Sequence, residues 1–496
     1  MQLSRILSGI DFQSKNFQDL DLKGISVDSN KIQRDFMFLA IKGENRDGHD
    51  FIYHAIERGA SVVLAEEGKF SEVVFSGRVV LVEVKDPKAV LVKLSSNFYQ
   101  IPENCLHMVG ITGTNGKTTI SFILEHIFKR AGLTTGLIGT ICCRVGNREI
   151  PAFNTTPDAI TVRRYIREVV DLSGDAIFME TSSHGLIQGR LKGISFDSAV
   201  FTNLDKDHLD YHKDMDKYYQ AKKILFTELL KKDGFGIINL DDSYGKQLYK
   251  DISQEKISYG FSEDADISVL DYKLDIKGTS FKVKIFKEIF NFNTFMIGVH
   301  NIYNILAAIG IAIRYGLDKD LIISAIESFS GVKGRLERVL GSSEVKVFID
   351  YAHTPKALEE MLKLFKGLKR NNLWVVFGCG GDRYKDKRHQ MGRIASNLAD
   401  KIIVTTDNPR SENPFDIIED IKKGLGQLGS DYCVIPDRKE AIEKAIYESQ
   451  KDDIVLIAGK GHEKYQLVDN LVIPFDDKEV AQKALARRTM ERMANV

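Results

Sequence analysis

Residues 108 to 132 run MVGIT, GTNGK, TTISFILEHIFKRAG, and few folds accept an apolar strand, a glycine-rich turn and an amphipathic helix in that order. Ile120, Ile123, Leu124, Ile127 and Phe128 recur at helical spacing, and Gly132 follows as a stop signal. A glycine turn that opens a helix aims backbone N–H groups at phosphate. Lys117 adds a point charge there, and the Thr118 hydroxyl is suited to magnesium. The lead-in is a variant, with Ile111 where the strict phosphate-loop pattern has glycine. The context on both sides still makes this an ATP-binding loop.

At 496 residues the chain exceeds one ordinary core, and at about 100 to 200 residues per domain it holds roughly three. Residues 1–98 carry short strand-like runs at 36–41 and 62–64 and a helix-like stretch at 87–98, which reads as a small N-terminal α/β domain. The segment IPEN at 101–104 breaks periodicity and serves as a linker. Residues 99–332 form the central phosphate-loop domain, with a mainly parallel sheet. Further strands are expected at 176–179 and 198–202, a helix at 215–230, and locally paired strands within 265–296. In residues 333–496, apolar runs at 345–349, 373–377, 401–405, 433–435 and 454–458 alternate with helix-length stretches, the pattern of βαβ units. That predicts a Rossmann-like C-terminal domain, but no GxGxxG follows its strands, so a dinucleotide is not expected. The fold class is therefore α/β throughout.

Lysine plus arginine and aspartate plus glutamate both number 69, so no global field points to nucleic acid or an anionic membrane. Residues 1–17 lack the apolar core of a signal peptide, and no run approaches the roughly 18 apolar residues that span a bilayer. A cytoplasmic protein without membrane insertion is expected. Five cysteines without CxxC spacing indicate neither a disulfide framework nor a zinc site. Cys142 and Cys143 read as strand or loop fillers that, in a strand, face opposite ways.

Open parallel sheets bind ligands beyond the carboxyl ends of their strands, and polar residues gather at those positions here. Glu180 ends the run AIFME, where a carboxylate suits magnesium opposite Thr118. The stretch FTNLDKDHLDYH concentrates Asp205, Asp207, His208, Asp210 and His212 after another strand. Asp350, His353 and Asp407 follow later strands in the same manner.

Assembled, these segments resemble the Mur ligase family of peptidoglycan biosynthesis almost end to end. The matching runs are TGTNGKTT, NTTPD (154–158), ETSSHGL (180–186), TNLDKDHLDYH, YYQAKKILF (218–226), GVHNIYNILAA (298–308), GRLERV (334–339), DYAHTP (350–355), FGCGGDR (377–383), DNPR (407–410) and GKGHE (459–463). The resemblance implies three domains: one for the UDP end of the substrate, a central ATPase, and one that brings the incoming amino acid. It implies a phosphate loop of Gly113, Thr114, Asn115, Gly116, Lys117, Thr118 and Thr119, with Asn301, Arg335 and Asp350 also at the nucleotide. Lys117, Glu180, His208 and Lys222 become the catalytic set. Thr118, Glu180, His208 and Lys222 become the magnesium set, with two sites, and Lys222 rather than Lys223 would carry a carbamate. Val27, Asp28 and Ser29 match the uridine-side pattern loosely, and Asn154, Thr155, Thr156, Ser182, Gln188 and Arg190 fall where the family grips the UDP-muramoyl-dipeptide. Glu44 to Arg46 align with a further nucleotide-contact loop.

The same resemblance implies the chemistry: ATP phosphorylates a carboxylate and an amino acid's amine attacks the acyl phosphate. The implied partners are UDP-MurNAc-dipeptide, ATP and meso-diaminopimelate, handled by a monomer. Arg383, Asp407, Asn408, Pro409, Arg410, Gly459 and Glu463 would hold the diaminopimelate, with the Arg410 fork taking its distal carboxylate. The lysine-adding form is the alternative, and its members lack an arginine at the DNPR position. A folylpolyglutamate synthetase is disfavoured by NTTPD and DNPR. A silent UDP-sugar-peptide binding module is disfavoured by the intact Lys117, Thr118, Glu180, Lys222 and His208.

Overall fold

The computed structural model describes residues 1–43, 46–69, 79–341, 344–426, 431–469 and 471–494, so two of the three residues expected at the 44–46 loop, Glu44 and Asn45, lie outside the described residues. The chain divides into two compact units: Met1–Val269 with Lys284–Glu288 and Tyr303–Ala325, and Leu270–Val283 with Ile289–Ile302 and Ile326–Val496. The division expected after residue 98 therefore falls inside the first unit. Across that position Arg163 is a link, because its buried guanidinium donates to Ser96 Oγ (3.0 Å) on the helix Pro87–Tyr99 and to the carbonyls of Ala159 (3.1 Å) and Lys192 (2.5 Å). Burial without a carboxylate pushes its pKa down to about 10.

Within the first unit, the strands Gly24–Ser26, Phe36–Leu39, Ala60–Glu66 and Val80–Val84 pair in chain order, all parallel. Val62, Val63, Leu64 and Ala65 are all buried, as expected of a strand covered on both faces. The larger sheet runs, strand by strand, through Glu255–Gly260, Leu230–Asn239, Phe196–Phe201, His107–Thr112, Ala176–Glu180, Thr135–Ile138, Cys142–Val145 and Arg148–Pro151. The first six are parallel to their neighbours and the last two form an antiparallel edge. His107–Thr112 thus lies between the strands that end in Glu180 and Phe201, which brings three ligand-bearing strand ends side by side. Cys142 and Cys143 sit in a strand and are both buried, consistent with filler roles.

The helix expected at 215–230 is shorter. Asp214 caps it through Lys217 N, the α-helix runs Met215–Ile224, and Leu225–Leu229 widen into a π turn before a strand starts at Leu230. The wider turn keeps Leu225, Phe226 and Leu229 buried. Leu225 lies so close to Gly110 that a Cβ there would stand 2.7 Å from its Cδ1. The strands Ile267–Asp275, Gly278–Ile285 and Glu288–Thr294 are sheet neighbours in chain order, as expected from local pairing.

The second unit holds a six-stranded sheet in the order Glu337–Val339, Lys346–Asp350, Ile454–Ala458, Leu373–Phe377, Lys401–Val404 and Asp431–Val434. Five strands are parallel, in agreement with the Rossmann-like expectation, and Glu337–Val339 adds an antiparallel edge that its polar sequence did not announce. A hairpin of Tyr465–Val468 and Leu471–Pro474 was likewise not anticipated. No helix among the described residues is long and apolar enough to cross a membrane.

Arg438 and Asp477 form a wholly buried pair, with Nε to Oδ1 at 2.8 Å and Nη2 to Oδ2 at 2.7 Å, and Nη2 also donates to Ala458 O (3.0 Å). Removing one partner strands a charge, whereas removing both leaves an apolar gap. Asp477→Ala is expected to destabilise the protein by roughly 3–5 kcal/mol and the double variant Arg438→Met, Asp477→Leu by much less. Denaturant unfolding of the two variants checks the order.

Candidate active site

Gly113 leaves the central strand with φ +139°, and a Cβ on it would run into Thr202 Oγ1. Only glycine fits so close to the neighbouring strand's end. Thr202 Oγ1 donates to Asn115 O (2.6 Å) and Asn203 Oδ1 accepts from Asn115 N (3.0 Å), so the Phe196–Phe201 strand end braces the turn. Gly116 caps the helix Lys117–Arg130. Thr114 and Thr119 complete the loop, with Thr114 Oγ1 accepting from Asp205 N (3.0 Å) and Thr119 buried in the first helical turn.

Lys117 is a half-buried first-turn residue, not an exposed loop lysine, and its Nζ donates to Gly113 O (2.8 Å) and Thr114 O (2.9 Å). Thr118 Oγ1 donates to Glu180 Oε2 (2.9 Å), so the two residues paired from sequence do meet. Glu180 is fully buried and also accepts from Thr140 N and Thr140 Oγ1, each at 2.9 Å. Thr140 carries no motif signal, and only the fold identifies it as part of the site.

Lys222 is 1% exposed and donates to the same Gly113 carbonyl at 2.8 Å, with its Nζ 4.5 Å from the Tyr218 ring centre. Burial first, then the charge of Lys117, hold its pKa well below the ordinary lysine value, against a smaller opposing effect of Asp207. Lys223 instead bonds Asp251 (2.8 Å), which separates the two adjacent lysines clearly. His208 adopts φ +52°, stands 3.5 Å from Asp207 Oδ2, and faces the rings of His184 (4.9 Å) and Tyr218 (6.4 Å). His212 Nε2 pairs with Ser183 Oγ at 2.9 Å, a packing role. Among the described residues no group of three or more His, Cys, Asp or Glu is arranged to hold a metal. The donors that fit magnesium are a hydroxyl and a carboxylate already in contact, Thr118 and Glu180.

The expected dipeptide-side residues lead away from Glu180. Thr156 Oγ1 donates to Glu180 O (2.8 Å) and accepts from Ser182 N (2.9 Å), while Thr155 Oγ1 pairs with Thr140 Oγ1 (3.0 Å). Arg190 donates to Thr156 O (2.6 Å) and twice to Gln188 Oε1 (3.0 and 2.7 Å). Asn154 is exposed beside Phe153, whose ring lies 5.8 Å from Lys31 Nζ. Lys31 ends the short turn that Asp28 caps and Ser29 opens, directly after the half-buried Val27, so that turn approaches the residue that precedes NTTPD.

In the second unit, Asn301 donates to Ile297 O (2.9 Å). Asp350 is buried and accepts from Leu336 N (2.7 Å) and Ala352 N (2.8 Å), and burial raises its pKa against the pull of Arg335. The Arg335 guanidinium lies over the Tyr351 ring at 4.8 Å. The FGCGGDR and DNPR loops are laced together: Gly381 N donates to Asn408 O (2.9 Å) and Arg410 Nη1 to Gly381 O (2.8 Å). Arg383 is exposed and donates to Asp382 O (3.1 Å), and Asp382 in turn accepts from Ser411 Oγ (2.6 Å), just past Pro409 and Arg410. Arg410 has φ +54° and is half-buried, held by Leu467 O on its N–H (3.0 Å) and Asp469 N on its carbonyl (2.7 Å). Gly459 has φ +117°, and a Cβ there would strike Asp407 Oδ2. Burial raises the pKa of Asp407, with Arg438 and Lys460 opposing. Glu463 Oε2 accepts from Asn408 Nδ2 at 2.8 Å and from Lys460 Nζ at 3.2 Å. Lys460 lies inside the GKGHE run, yet sequence reasoning assigned it no role.

A glycine turn between strand and helix, with lysine and threonine at the helix start and a carboxylate on the next strand, defines a phosphate-loop α/β protein. Three family models match in sequence order: Mur ligase family, catalytic domain, at residues 21–99; Mur ligase middle domain at 111–312; and Mur ligase, glutamate ligase domain, at 334–461. The UDP-N-acetylmuramoyl-L-alanyl-D-glutamate--2,6-diaminopimelate ligase of Bacillus velezensis is 40% identical over 492 residues, 98% of this chain and 99% of that protein. The protein of the same name from Clostridium tetani is 37% identical over 488 residues, 98% and 99% of the two chains. A solved structure of a ligase with that name superposes with TM-score 0.67 at 30% identity, covering 99% of each chain. The MurF ligase of Thermotoga maritima in complex with ADP shares the fold at TM-score 0.66 and 18% identity, over 96% of this chain and all of that one. The chain belongs to the Mur ligase family.

His462 and His300 lie in two of the family-like runs, and burial holds both pKa values down to about 4, with Arg335 and Lys460 adding to the effect at His462. An unfolded histidine takes up its proton near pH 6.5, whereas these rings resist it down to about 4. Their contribution to stability is therefore complete above the unfolded value and lost as pH falls through that window. His462→Gln is expected to flatten the decline in unfolding free energy between pH 6.5 and 4, read by denaturant titration at each pH.

Proposed function

We propose that this chain is the ATP-dependent ligase that joins meso-diaminopimelate to UDP-N-acetylmuramoyl-L-alanyl-D-glutamate, as a cytoplasmic monomer in three domains with limits near residues 98 and 332. The observation that carries this reading is the end-to-end match to diaminopimelate-adding ligases, 40% identical over 98% of the chain. The site is consistent with it at each step. The D-glutamyl side-chain carboxylate attacks the γ-phosphorus of ATP, the bond to the bridging oxygen breaks, and ADP leaves. Lys117, at the head of its helix, offsets charge on the moving phosphoryl group. The amine of the amino acid then attacks the acyl carbon, loses a proton, and expels phosphate to leave the amide. Magnesium held by Thr118, Glu180, His208 and a carbamate on Lys222 would supply further charge neutralisation.

A carbamate on Lys222 answers a physical problem in the fold. Burial first, and then the charge of Lys117 on the same Gly113 carbonyl, lower the Lys222 pKa, which favours the free amine that carbon dioxide requires. Loss of a proton and gain of CO2 turn that position anionic beside Lys117. Protein incubated with 13C-bicarbonate is expected to show a carbamate carbon resonance that Lys223→Ala keeps and Lys222→Ala loses. A signal retained in Lys222→Ala would contradict the assignment.

Arg410 supports the choice of amino acid. meso-Diaminopimelate differs from lysine by a distal carboxylate, and a half-buried guanidinium that donates to Gly381 O, on a backbone held by Leu467 O, can bind it with two hydrogen bonds. Lysine would leave that cation without its partner, at a cost on the order of 100-fold in selectivity. An amino-acid panel with ATP and the UDP-dipeptide, scored by product mass, is expected to give the diaminopimelate product, with preference over lysine lost in Arg410→Ala. Equal kcat/KM for the two in the unaltered enzyme would refute the reading.

A further inference from the structure

We propose that Lys460 is the positioning residue of the amino-acid site: it orients Asn408 and Glu463 for the incoming substrate without touching that substrate itself. The inference rests on the functional reading above, and begins from an ammonium that is 0% exposed. Its Nζ donates to Asn408 Oδ1 (3.0 Å) and Glu463 Oε2 (3.2 Å), and stands 3.9 Å from Asp407 Oδ1. One side chain thus joins DNPR to GKGHE, more than fifty residues apart in the chain.

The orientation of Asn408 follows from obligate donors. Lys460 Nζ and Leu467 N (3.0 Å) can only donate, so the atom between them must be the amide oxygen. The amide nitrogen is then turned to Glu463 Oε2 at 2.8 Å, which leaves its second N–H for a ligand acceptor such as a carboxylate. Glu463 Oε2 in turn takes both Lys460 and Asn408, and Oε1 accepts no bond among the described residues, so it is left for a ligand ammonium. The site therefore presents a donor and an acceptor side by side, matched to the head of an α-amino acid.

Charge supports the same assignment. Arg438 is hydrogen-bonded to Asp477 and acts on Asp407 only through its field, while Lys460 stands closest to Asp407 and Glu463, so two cations, Arg438 and Lys460, face three carboxylates, Asp477, Asp407 and Glu463. A substrate ammonium supplies the missing charge. The Tyr465–Val468 strand completes the frame, with Gln466 Nε2 donating to Asp407 O (3.0 Å) and Leu467 O accepting from Arg410 N (3.0 Å). Lys460 thereby fixes the side chain beside Arg410 as well as the one that meets the ammonium.

The test is a KM comparison across all three substrates in Lys460→Met and Lys460→Arg. The second variant keeps a buried cation but replaces a compact ammonium with a planar fork that cannot occupy the same point between two acceptors. The expected result is a rise of about 10- to 100-fold in amino-acid KM in both, with KM for ATP and the UDP-dipeptide within about twofold and kcat little changed. Lys460→Arg decides the matter if Lys460→Met fails to fold. An unchanged amino-acid KM in either folded variant, or an equal rise for all three substrates, overturns the proposal. The unaltered enzyme's own amino-acid panel keeps the two ideas apart. If it adds lysine instead of diaminopimelate the functional reading fails, while the Lys460 comparison proceeds with the amino acid it does use.

Discussion

One carbonyl oxygen, that of Gly113, receives the ammonium of Lys117 and the amine of Lys222. The rest of the first unit is arranged around that convergence. It requires a glycine where the central strand ends, because any Cβ would collide with Thr202. It requires a helix starting at Lys117, and a second helix, capped by Asp214, long enough to return Lys222 to the loop. Burial then makes the two amines unequal: Lys117 is half-buried, and burial holds the pKa of the fully buried Lys222 well below the ordinary lysine value.

Both units place their chemistry where parallel strands end. In the first, Thr112, Glu180 and Phe201 close three adjacent strands, so Thr112 and Phe201, 89 positions apart, meet without any loop having to be long. In the second, Asp350 and Ala458 end paired strands, and the DNPR and GKGHE loops follow the two strands that flank Leu373–Phe377. The chemistry of the two sites differs. The first is a cradle of backbone and hydroxyl groups suited to phosphate, and the second is a buried network of full charges. Such a network adds little net stability, because desolvation offsets attraction, but it limits the orientations that each partner can take. Lys460 and Glu463 hold Asn408 of the DNPR loop, while Leu467 and Asp469 hold the left-handed backbone of Arg410.

The amino-acid sequence alone was enough for the elements with the strongest local periodicity, though not for the hairpin Tyr465–Val468 and Leu471–Pro474. Strand, glycine turn and helix at residues 107–130 follow from periodicity and from the conformational needs of the turn, and the alternating strands of the last third follow from apolar runs of the right length. Glu180 was legible as a strand-end carboxylate, and the family resemblance singled out Lys222 over Lys223 and placed DNPR beside the amino acid. The tertiary structure alone decided what depends on distant segments meeting. Thr140 looks like any loop threonine until a strand end brings Glu180 to it, and Lys460 is one polar letter in GKGHE until Asn408 and Glu463 close around it. The π turn at Leu225–Leu229 and the link from Arg163 to Ser96 on the helix Pro87–Tyr99 belong to the same class. Hydrogen bonds and burial between residues tens of positions apart have no period in the chain, so only packing can specify them.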